Sequence, residues 1–101
     1  MMNKIILVIF MLLQISTLEA EENNVSKGHE VFMQKCMGCH GESGNGQLPG
    51  QPNFNKGDAF FKSDSALIDV IREGRGVMPS FDGLLSEEDI RNVVAYIKAF
   101  L

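Results

Sequence analysis

Nine consecutive apolar residues, Ile5 to Leu13, follow Lys4 and pass into the more polar stretch Gln14 to Glu19 before reaching Ala20. A positive residue, an apolar run and a small-residue exit form the pattern of a secretory signal peptide. The run is well short of the roughly 20 residues that a transmembrane helix needs. The chain is therefore expected to divide into residues 1–20, a signal peptide, and residues 21–101, one small exported domain. Retention of the segment as a membrane anchor is the alternative, because Leu18 is bulkier than the residue usual three before a cut. On either reading about eighty of the 101 residues remain, close to the size at which one hydrophobic core barely offsets chain entropy. Such a domain needs a staple: disulfides, a metal, a cofactor or a partner. A Rossmann fold, a barrel or a kinase does not fit in it.

The charge balance narrows the partners. Nine basic residues against thirteen acidic ones give a net charge of −4, and the excess sits at the ends of the chain. No basic block and no interleaving of aromatic with basic residues is present, which argues against nucleic acid. Export makes Cys36 and Cys39 a suspect disulfide, but a bridge across two residues closes a tiny loop and would stabilise little. If these cysteines are the staple, they hold something other than each other.

Three helical segments are expected and no strand. The first runs from about Val25 to Gly38, with Val25, Phe32, Cys36 and Cys39 at helical spacings and Gly28 weakening its first turn. The second starts near Ser63 or Asp64, carries Leu67, Ile68 and Ile71, and stops at Gly74. The third opens on Ser86-Glu87-Glu88-Asp89, a capping box with Asp in place of Glu. It continues as an apolar stripe of Ile90, Val93, Val94, Ile97 and Leu101. Between the first two lies Gly41 to Gly57, rich in glycine and proline. A stretch so long without its own periodicity is normally functional or disordered. With Leu48, Phe54, Phe60 and Phe61 to hand it is expected to pack against something, and its backbone polar groups then need partners.

Cys36-Met37-Gly38-Cys39-His40 supplies the candidate staple. A C-x-x-C-H in an exported chain is a c-type haem attachment pattern. Thiols at i and i+3 on a helix end lie on one face, where each can add to a vinyl group on one edge of a porphyrin, and the next residue sits under the iron. A structural zinc site needs four ligands, yet there is no second C-x-x-C pair, and His29 and His40 are the only histidines. A thioredoxin-like pair would need a preceding strand. Of the methionines after Ala20, Met33 and Met37 share the helix end with His40 and cannot reach the far side of the ring. Met78 precedes Pro79, which favours an extended backbone, and Gly74 and Gly76 would let that loop come close to a flat ring. The commoner fate of a methionine, filling a gap in a core, is the competing reading.

These ordered elements resemble the class I c-type cytochromes, in particular the small bacterial monohaem ones, over nearly all of Val25 to Leu101. Gly28 and Phe32 match the family's first helix, Cys36 to Gly41 its attachment site, and Pro52-Asn53-Phe54 its proximal loop. Ile71 to Gly74 and Val77 to Phe81 match the approach to the distal methionine, and Val93 to Ile97 the last helix, whose aromatic packs near the first helix's glycine. The resemblance implies an all-α fold, three or more helices with long loops around one covalently bound haem c. It assigns Cys36 and Cys39 to thioethers, His40 to the proximal iron position and Met78 to the distal one. It also implies a proline carbonyl accepting from His40, best matched by Pro52 with Pro49 close by. Tryptophan, a common propionate donor, is absent, and Arg75 is the candidate in its place. His29 is expected to be an exposed residue of the first turn.

An iron closed on both faces by imidazole and sulfur implies an electron carrier and not an enzyme. The resemblance further implies a periplasmic shuttle, soluble if cleaved after Ala20, between a quinol-oxidising complex and a terminal oxidase or reductase. Membrane contact would be transient or through a retained amino-terminal segment. The rival is a haem protein with an open or labile distal site, acting as a peroxidase or gas sensor. Phe32, Phe54, Leu67, Ile71, Phe81, Val94 and Ile97 are expected to pack on the ring or between the helices around it.

Overall fold

A computed structural model describes the backbone of residues 3–100 and, apart from residues 11–23, their side chains. The expected cleavage point after Ala20 falls among those excepted residues, and Leu101, expected at the end of the last stripe, lies outside the described residues. Among the described residues four helices follow in order: α1 Lys4–Lys35, α2 Met37–His40, α3 Asp64–Glu73 and α4 Glu87–Lys98, with a 3₁₀ turn at Phe54–Lys56. There is no strand among the described residues, only isolated bridges joining Arg75 to Met78 and Asp82 to Leu85. The fold is all-α, as expected. The first helix starts well before Val25 and stops before Gly38, because Cys36 turns out of helical geometry (φ −119°, ψ −32°). Its N–H still closes on the Phe32 carbonyl at 2.8 Å, and α2 then restarts as one turn. Among the described residues no helix is long and apolar enough to cross a membrane.

Both later helices begin and end where local chemistry directs. The Ser63 hydroxyl accepts from the Ala66 N–H at 3.2 Å, and Gly74 at φ +79° ends α3. At α4 the Ser86 hydroxyl accepts from the Asp89 N–H at 3.0 Å, and the Asp89 carboxylate accepts from the Ser86 N–H at 3.3 Å. That is a complete capping box, a feature worth about 1 kcal/mol. Ion pairs join α3 to α4 at both ends, Asp64 with Lys98 and Arg72 with Glu87.

The main packing is α1 on α4. Gly28 is buried there, and a Cβ on it would lie 2.0 Å from the Asn92 carbonyl oxygen and 2.9 Å from Tyr96 Cβ. Glycine at this position is thus what lets the helices approach, which outweighs its local helix penalty of about 1 kcal/mol. Phe32, Ile90, Val93 and Val94 are fully buried along this seam. Phe32 also centres an aromatic group, 5.2 Å from Tyr96, 5.8 Å from Phe100 and 6.3 Å from Phe54 between ring centroids.

The glycine-rich loop finds its missing backbone partners in side chains. Gln51 Oε1 accepts from the N–H groups of Gln47 (2.8 Å) and Leu48 (2.9 Å). Asp58 Oδ2 accepts from the Asn53 N–H at 2.6 Å. Asn55 Nδ2 donates to the Ser43 carbonyl and, at 2.6 Å, to Asn45 Oδ1. Phe54, the loop's anchor, is buried, whereas Phe60 and Phe61 pack edge to face on each other and stay exposed.

Candidate functional site

The single turn of α2 gathers the first three candidate residues. The Cys36 carbonyl accepts from the N–H groups of both Cys39 (3.3 Å) and His40 (3.0 Å), which fixes their relative placement. The thiols are unpaired, Cys36 buried and Cys39 exposed. Burial, reinforced by Cys39, pushes the Cys36 thiol up to about 11, so it is a neutral thiol at neutral pH. Burial also holds His40 below the ordinary imidazole value, which leaves a neutral ring with a lone pair to offer a metal. That ring stacks on Phe54 with centroids 5.2 Å apart and planes 28° apart.

His40 Nδ1 is buried without a hydrogen-bond partner. The bond to a proline carbonyl implied by the resemblance is therefore not formed, from Pro52 or from Pro49. The stack against Phe54 sets the plane of the His40 ring, while the Pro52 carbonyl lies against Gly46, where a Cβ would come within 3.1 Å of it. A buried nitrogen left without a partner costs about 1–3 kcal/mol.

Met78 arrives from the opposite end of the sequence. Arg75 and Met78 exchange two backbone hydrogen bonds of 3.0 Å each, closing a tight turn around Gly76 and Val77. Gly74 does a different job from the one expected. A Cβ there would meet the backbone of the loop itself, 2.7 Å from the Met78 carbonyl oxygen and 2.8 Å from Ser80 N. It lets the loop fold back on α3, and only Gly76 remains available for close approach to a ring.

A cavity of about 940 Å³ lies between these elements, and its walls include Cys36, Cys39, His40, Pro52, Arg75 and Met78. Every site residue expected from the sequence thus meets at one place. The volume falls at the upper end of the range of roughly 300–1,000 Å³ for cofactor sites. Phe32, Phe54, Leu67, Ile71, Phe81 and Ile97 supply its apolar lining, while Val94 is spent on the helix seam. Met33 and Met37 pack on the core away from the cavity, and His29 is exposed beside Tyr96 at 5.1 Å. Among the described residues no three His, Cys, Asp or Glu side chains are grouped to hold a metal ion themselves. Two thiols, one imidazole and one thioether around an apolar hollow suit instead an iron already carried by a ring. Lys35 and Lys62 also reach the cavity. Lys35 stands directly before the first cysteine and could have been read from that position, whereas Lys62 carries no local signal.

A family profile described as Cytochrome C oxidase, cbb3-type, subunit III matches residues 23–97. The chain is 38% identical over 77 residues to the cbb3-type cytochrome c oxidase subunit FixP of Bradyrhizobium diazoefficiens, a match covering 73% of this chain and 27% of that subunit. It spans well under half the length of the oxidase subunits it matches. To cytochrome c6 of Gracilaria tenuistipitata var. liui it is 31% identical over 78 residues, 73% of this chain and 70% of that protein. Among solved structures, cytochrome c6 from the diatom Phaeodactylum tricornutum superposes with a TM-score of 0.65 at 29% identity, covering 74% of this chain and 91% of the other.

Proposed function

Since the chain belongs to the family of cytochrome c domains described as cbb3-type cytochrome c oxidase subunit III, and is a cytochrome c-type electron carrier with covalently bound haem c, we propose that it is a periplasmic one-electron shuttle, and not an enzyme, whose iron is held by His40 and Met78. The observation that carries this reading is the convergence of Cys36, Cys39, His40 and Met78 on one apolar cavity of about 940 Å³. When bound, the haem supplies a metal centre that accepts and returns one electron. Cys36 and Cys39 are the thiols that would carry its covalent attachment. His40 offers a neutral imidazole from the proximal wall, and the Arg75–Met78 turn presents a thioether from the distal loop.

Imidazole and thioether are ligands to both redox states, so the protein around the iron reorganises little between them. The apolar part of the lining would favour the less charged, reduced state of a bound haem. Val77, beside Met78 in the cavity lining, is 88% exposed. Arg75, Lys35 and Lys62 line the same cavity and would be placed to balance acidic groups of the haem. The relatives named as oxidase subunits support a terminal oxidase as acceptor, while a reductase as acceptor and a quinol-oxidising complex as donor are implied by the resemblance to class I c-type cytochromes alone. The apolar run after Lys4 supports export.

Substitution Met78→Ala tests the ligand. Haem should stay covalently attached, the weak far-red sulfur-to-iron band of the oxidised protein should vanish, and the reduced protein should gain carbon monoxide binding. An unchanged spectrum would remove Met78 from the site.

A further inference from the structure

The loop that carries Met78 is tied to the last turn of α3 at consecutive carbonyls. Helix ends leave such carbonyls without intrahelical partners, and here the loop supplies them. The Phe81 N–H donates to the Ile71 carbonyl at 3.1 Å, and the Arg72 carbonyl accepts from the Asp82 N–H at 3.2 Å and the Ser80 hydroxyl at 2.6 Å. How steadily Met78 is presented therefore depends on how steadily the end of α3 is held.

The Arg72 side chain holds that end. Its Nε donates to Glu87 Oε1 at 2.9 Å and its Nη2 to Glu87 Oε2 at 2.6 Å, a two-bond fork onto the first turn of α4. The remaining nitrogen, Nη1, reaches Asp69 Oδ1 at 3.2 Å. Single exposed pairs contribute little, but bidentate arginine pairs within a network are the exception. The Arg72 side chain is also only 34% exposed. One residue thus receives the distal loop on its carbonyl and locks its own helix to α4 with its guanidinium.

We propose that Arg72, through Glu87, is a positioning residue that keeps the Met78 loop closed and so controls how readily the distal side opens to an outside ligand. This rests on the assignment of Met78 as the distal ligand. The Arg72 backbone survives any substitution, so side-chain variants remove the fork and leave the loop's own hydrogen bonds in place.

The test is imidazole binding to the oxidised, haem-loaded protein, followed as loss of the far-red band, with chemical unfolding measured in parallel. Apparent affinity scales with the fraction of time the distal side is open. Arg72→Met and Glu87→Gln should each raise it roughly two- to fivefold, the size of effect that one such pair carries. The double variant should do no more than Arg72→Met alone, since the fork is already gone there. Arg72→Lys, which keeps the charge but not the fork, should fall between wild type and Arg72→Met. Unchanged imidazole affinity in both single variants, with only the unfolding midpoint displaced, would reduce the fork to ordinary structural support and overturn the proposal. If wild type lacks the far-red band, or Met78→Ala keeps it, the ligand assignment itself fails and takes this inference with it.

Discussion

The seam between α1 and α4 and the shell of loops around the cavity are held together in opposite ways. At the seam, apolar side chains at helical period meet across a backbone contact so close that Gly28 has no room for a Cβ. Phe32, Ile90, Val93 and Val94 lose essentially all contact with solvent there, each contributing about 1.5–3 kcal/mol of burial. In the loop shell, Gly41 to Gly57 and Gly74 to Asp82 bury little of their own. Side chains of Gln51, Asn55 and Asp58 help to satisfy the first backbone, carbonyls of α3 and the Ser80 hydroxyl the second, and their apolar residues face the cavity. The seam is complete as protein; the shell is complete only around something.

Withholding the haem should separate the two most sharply. Without the haem, the apolar lining of a hollow of about 940 Å³ is left facing water, and a domain usually stable by only about 5–15 kcal/mol has little to offset that lost burial. A Cys36→Ser/Cys39→Ser protein made without haem should therefore lose most of its far-ultraviolet circular dichroism and all cooperative unfolding, with any residue of helix confined to α1 and α4. A well-folded apoprotein would erase the distinction. Next in size, Phe54→Ala removes the ring that stacks on His40 and reaches the Phe32 cluster, joining shell to seam. Denaturant unfolding should show a loss of about 3–5 kcal/mol, together with a perturbed haem spectrum. Gly28→Ala strikes the seam alone. It should cost about 1–3 kcal/mol by overpacking while the optical spectrum stays as in wild type.

The smallest effect is electrostatic. The Arg72 fork holds the Glu87 carboxyl below the usual carboxylate range, with Arg91 adding to it. A carboxylate whose value is lower in the folded state stabilises the fold above its unfolded value and loses that contribution as pH falls through the folded one. Wild type should accordingly lose slightly more stability between neutral and acid pH than Glu87→Gln does, measured by urea titration across that range, and the gap should shrink at high salt.

What could be read from the sequence follows the same division. Ser63, Gly74 and the Ser86–Asp89 box act within a few residues, and they delimit α3 and α4 as expected. Cys36, Cys39 and His40 are local too, and Met78 was separable from Met33 and Met37 by chain direction alone. The start of α1 was not legible, because the polar stretch after Leu13 carries no helix stop. The loop staples from Gln51, Asn55 and Asp58 depend on a chain path that no short-range pattern encodes. Arg72 with Glu87 and Asp64 with Lys98 pair residues far apart in sequence, and Gly74 could be seen as permissive without its purpose being visible. The His40 contact implied by resemblance failed where a ring plane is set by stacking on Phe54.

The central claim is that His40 and Met78 together close the iron to outside ligands and make the protein a carrier. Exposure of the reduced, haem-loaded wild type to carbon monoxide at neutral pH tests it most directly. The optical spectrum should not change, whereas prompt formation of a carbon monoxide complex would mean an open distal site and a different function.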